Sequence, residues 1–70
     1  MGFIRRQEER LTIHFLVWKY QKMNIEVPPA SELQEQAIKI VEDAHRIAFK
    51  RGANIMSIVK ELVSDLFNKS

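Results

Sequence analysis

Cysteine is absent from these 70 residues, and glycine and proline occur only twice each. Without thiols the chain can form neither a disulfide nor a thiolate metal site, which leaves oligomerisation as the reinforcement open to so small a domain. Two glycines are too few for a phosphate-cradling loop. Neither sign of charge dominates: eleven Lys and Arg against nine Asp and Glu give a net charge of +2, too weak a field to draw nucleic acid or anionic lipid by composition alone. Long hydrophobic runs are missing as well. The most apolar stretch, Leu11 to Tyr20, is interrupted by His14 and Lys19 and falls short of the roughly 20 residues that span a bilayer. It lacks the small-residue site and the basic flank of a secretory leader, since Glu8 and Glu9 precede it, and Arg6 stands where a myristoylation signal needs Ser or Thr. No membrane partner is expected, and a cysteine-free chain fits the reducing cytoplasm.

What is present is helical. Apolar residues make up 46% and charged residues 29% of the chain, the composition of an ordinary globular domain. One helical domain over residues 1–70 is expected. A first helix is predicted over about 4–23, with Asn24 in the left-handed position that ends helices and Ile25 folding back on Tyr20. Pro28-Pro29 enforces a turn. Ser31 and Gln34 have the spacing of a capping box for a second helix over about 32–51, whose stripe is Leu33, Ala37, Ile40, Val41, Ala44, Ile47 and Ala48. Gly52 closes it. Asn54 caps a third helix over about 55–67 with the stripe Ile55, Ile58, Val59, Leu62, Val63 and Leu66. No strand is supported, and short connections force antiparallel neighbours. The expected fold is an all-α, antiparallel three-helix bundle with a shorter third helix.

Helix one is apolar on two faces. Ile4, Leu11, Phe15 and Trp18 share one, while Ile13, Leu16, Val17 and Tyr20 lie opposite. One intramolecular partner cannot bury both. At 1.5 Å per residue the first two helices are about 30 Å long and the third about 20 Å, which predicts that helix three runs out before the upper part of helix one. On that argument Leu16, Val17, Trp18, Tyr20 and Met23 form a homodimer or partner interface, unless the Ile25 to Val27 turn folds over them. A weaker patch of Ile38, His45 and Phe49 lies off the main stripe of helix two.

Chemical motifs are weak. Glu42 and His45 have the Glu-x-x-His spacing of di-iron bundles, but Glu42 lies opposite the apolar stripe and the further carboxylates are wanting, so neither metal nor cofactor is expected. His14 could serve as a base, but no nucleophile for it to activate is apparent. Arg5, Arg6, Arg10, Lys50 and Arg51 gather where the start of helix one meets the end of helix two, a possible anion or nucleic-acid contact. Against a helix-turn-helix reading, helix three exposes Glu61 and Asp65 toward the would-be groove. The expected function is therefore a non-enzymatic helical protein-interaction or regulatory module that self-associates through helix one, with a nucleic-acid accessory role at the basic end as the alternative.

Overall fold

The computed structural model describes residues 3–68. They form α1 (Phe3–Lys22), α2 (Ala30–Arg51) and α3 (Ile55–Asn68), packed as a three-helix bundle with no strand among the described residues. Each expected helix is present.

The helix ends show why. After α1, Asn24 takes φ 59°, and the Asn24 and Ile25 amides donate to the Gln21 and Tyr20 carbonyls at 3.1 and 2.9 Å. This is the paired closure of a Schellman motif, with Asn supplying the left-handed residue. Gly52 does the same for α2 at φ 65°, its N–H and that of Ala53 both reaching the Ala48 carbonyl at 2.7 and 3.2 Å. At α3 the Asn54 Oδ1 accepts from the Met56 N–H at 2.8 Å, a side-chain N-cap.

The start of α2 departs from expectation. Pro29, at φ −60° and ψ 158°, is the N-cap, and the helix begins at Ala30. Ser31 therefore sits inside the first turn and the Ser31/Gln34 capping box does not form. The Glu32 and Leu33 amides instead donate to the Pro29 carbonyl, both at 3.0 Å. The two rings already fix the chain in the extended geometry from which a helix can start, so no side-chain cap is needed to set the entry.

The core is built from Leu16 of α1, the α2 stripe Leu33, Ala37, Val41, Ala44 and Ala48, and Ile58, Val59 and Val63 of α3. Thr12 is fully buried among them, yet its hydroxyl is satisfied by donating to the Glu8 carbonyl one turn back at 2.8 Å.

Register corrects the argument from helix length. Phe15 lies under Lys60 Nζ, which is 5.6 Å from its ring centroid, and Tyr20 meets Phe67 edge to face at 4.7 Å. Helix α3 therefore climbs to the top of α1 instead of running out below it. By the same offset Ile55 falls near the level of Glu9, and the turn of α1 left beyond α3 is its first, at the foot of the bundle.

Two outcomes follow for stability. Leu16→Ala removes the largest fully buried side chain and should cost about 3 kcal/mol, while Asn54→Ala should cost about 1 kcal/mol through loss of the cap. Urea denaturation followed by circular dichroism measures both.

Candidate functional site

The bundle resolves which face of α1 is spent on folding. Leu16 is wholly buried, and Val17 and Tyr20 are partly buried against the core. Tyr20 is also held by its hydroxyl, which lies 3.3 Å from Gln36 Oε1, and by its edge-to-face contact with Phe67. Leu16, Val17 and Tyr20 are thus intramolecular, contrary to the outward placement expected from helix length. Part of the covering comes from the turn, where Val27 packs on the core. Trp18 and Met23, at 54% and 44% exposure, do face solvent.

The face left over is the opposite one. Ile4, Leu11 and Trp18 are 69%, 47% and 54% exposed, and Gln7, His14 and Gln21 are exposed beside them. Written along the chain these six recur at alternating steps of three and four, the a and d positions of successive heptads. Large apolar side chains occupy every a and uncharged polar ones every d. No Asp, Glu, Lys or Arg stands at any of these six positions. Leu11, His14, Phe15 and Trp18 line a shallow apolar depression on it. A groove toward α3 adjoins, where Lys19 and Lys60 flank Phe15 and Trp18. The Lys22 and Lys19 ammonium groups lie 4.8 and 5.9 Å from the Trp18 ring centroid, a cation–π cover worth about 0.5–1 kcal/mol at an exposed site. Arg10 borders the strip on one side and Lys22 on the other, the latter reaching over Trp18, while Glu8 is taken up by His45.

The secondary patch divides. His45 Nε2 and Glu8 Oε1 are 2.7 Å apart, and because a carboxylate only accepts, the imidazole donates from Nε2. This pair ties α2 to α1 near the foot. Ile38 is half-buried, whereas Phe49 is 89% exposed, one helical turn beyond His45. With His45 engaged by Glu8 and Glu42 exposed, the Glu-x-x-His spacing does not assemble a ligand set, and among the described residues no three His, Asp or Glu side chains converge. Antiparallel packing of α1 and α2 brings Arg5, Arg6, Arg10, Lys50 and Arg51 to one end. Arg51 is there drawn toward Glu61 at 3.4 Å. No helix among the described residues is long and apolar enough to cross a membrane.

The chain matches no protein-family model, no curated protein and no solved structure, so function has to be read from the geometry. Sequence reasoning had Ile4, Leu11 and Trp18 on a common face but passed over Gln7, His14 and Gln21. The heptad spacing was the signal that could have found them.

The two faces of α1 should separate by mutation. In dilute protein Trp18→Ser should cost about 1 kcal/mol, chiefly the cation–π cover, while Tyr20→Ala should cost on the order of 2 kcal/mol, both read from urea curves.

Proposed function

We propose that this chain is a non-enzymatic protein-interaction module whose working surface is the outward face of α1. The observation that carries this reading is the strip Ile4, Gln7, Leu11, His14, Trp18 and Gln21, exposed and in heptad register over most of the helix, with no Asp, Glu, Lys or Arg at its a and d positions. Leu11, Phe15 and Trp18 leave an apolar depression that the bundle does not cover, the kind of exposed patch that marks an interaction site. A heptad seam of that kind is complementary to another helix, since its a and d side chains insert as knobs between four residues of the facing one. The rims add selectivity. Cations at Arg10 and Lys22 favour a partner that answers them with acidic side chains.

In-cell photo-crosslinking tests the surface without presupposing the partner. A photoreactive residue at Gln7 or Gln21 should give a discrete protein adduct, and one at Glu42, exposed on α2, should give none. Equal adduct yields from all three positions, or none from Gln7 and Gln21, would overturn the reading.

A further inference from the structure

We infer that the partner of the α1 surface is an acidic amphipathic helix of another protein, whose carboxylates meet Lys19, Lys22 and Lys60 along the edge shared by α1 and α3. The inference rests on the interaction surface proposed above and adds the chemical class of its partner.

Charge is divided unevenly over the bundle. From Arg10 to Ile25 the chain has no Asp or Glu, while Arg10, Lys19 and Lys22 all fall within that stretch. Helix α3 brings Lys60 to the same edge, where with Lys19 it borders the groove formed by Phe15, Trp18, Val63 and Ser64. The acids of α3 are directed elsewhere. Glu61 lies 3.4 Å from Arg51, and Asp65 lines the other groove, between α2 and α3, together with Asp43 and Lys39. On α1, Glu8 is held by His45. Among the described residues, no carboxylate lies within salt-bridge distance of Lys19, Lys22 or Lys60. Three ammonium groups are thus gathered beside an apolar floor with no acid of the chain to answer them, a field complementary to an anionic partner.

The aromatic rings decide what kind of anion fits. The Lys22 ammonium lies 4.8 Å over the Trp18 ring and that of Lys60 5.6 Å over Phe15. Single-stranded nucleic acid binds by stacking its bases on open aromatic faces, and here ammonium groups lie over those faces. An ammonium resting on a ring still has N–H donors to spare, so each lysine holds a donor at the border of the apolar surface. A carboxylate on the edge of a helix accepts there while the apolar stripe next to it packs on Leu11, Phe15 and Trp18. The spacing fits as well. Lys19 and Lys22 are about 4.5 Å apart along the axis, and Arg10 borders the opposite rim about 13.5 Å below Lys19. The complementary helix carries Asp or Glu one turn apart on one edge and a further acid about two and a half turns away on the other.

Trp18 is the single tryptophan of the chain, so its fluorescence reports occupancy of the groove. The probes are two Trp-free helical peptides with the same leucine stripe, one with Glu along both edges and one with Lys in those places. The Glu-edged peptide should shift Trp18 emission and bind at least about tenfold more tightly than the Lys-edged one at low ionic strength, the difference shrinking as salt is added. Lys60→Glu, at an exposed position, should weaken the Glu-edged peptide about tenfold with circular dichroism unchanged. Lys39→Glu, beside the other groove, should leave its affinity nearly unaltered. Equal affinity for the two peptides, preference for the Lys-edged one, or no response to either up to about 1 mM would overturn the acidic partner. So would a shift of Trp18 emission by oligothymidylate that the Glu-edged peptide does not produce.

Crosslinking in cells separates this failure from failure of the surface itself. The adduct from Gln21 should disappear when Lys22→Glu and Lys60→Glu are combined in a chain of unchanged helical content. An adduct that persists there, or one with twice the 8.2 kDa mass of this chain, would overturn the acidic partner and leave the interaction surface standing. No adduct from Gln7 or Gln21 in the native background would overturn both.

Discussion

Everything in this molecule follows from one constraint: α1 is apolar on two faces, and two neighbouring helices packed on one side of it can bury only one of them. The face that is buried is selected by volume. The stripe that α2 turns inward carries Ala37, Ala44 and Ala48, whose small side chains leave room for the larger Leu16, Ile58 and Val59 of the other two helices. Close packing at interior density penalises both voids and overfilling. Leu16, Ile13 and Val17 pack there, with the larger Phe15 and Tyr20 partly buried against the core. The polar groups agree with this choice. Thr12, carried into the core by the same rotation of α1, bonds its own helix, and Tyr20 finds Gln36.

Once that rotation is set, the rest of the surface is fixed with it. The same turn of α1 that seats Leu16 presents Leu11, His14 and Trp18 outward, so core and candidate site are two readings of one angle. Glu8 and His45 pin it near the foot, where α3 no longer reaches, and Tyr20 with Phe67 pins it at the top. Between these points α1 cannot roll to hide its outer apolar strip without exposing its inner one.

Helix positions were legible in the sequence because their stop signals are local. Asn24, Gly52 and Asn54 each act through bonds to residues within five positions, and each does what its side chain or backbone freedom dictates. The start of α2 was misplaced because Pro28-Pro29 reads both as a break and as an entry, and the competing Ser31 signal is equally good on paper. The two faces of α1 were legible too. Which of them would be buried was not, because helix length says nothing about where along α1 the third helix begins. That is settled by the climb of Gly52-Ala53-Asn54 and by the fit to three alanines, both tertiary facts.

The polar d positions give the outer strip its character. Had Gln7, His14 and Gln21 been leucines, the strip would bind another helix more tightly, but it would also pair with itself in several registers and orientations and would leave a large apolar patch on every free chain. Uncharged polar residues at alternate seam positions lower the affinity while requiring that each apolar knob find a particular partner, the role that a single buried polar residue plays in setting register in coiled coils. Glutamine suits this because its stem packs while its amide bonds. A seam of this composition favours a reversible, register-specific helix contact over permanent assembly. It also explains how so small a chain can keep a second apolar face without being committed to aggregation: the face is interrupted often enough to be wetted, and regularly enough to be recognised.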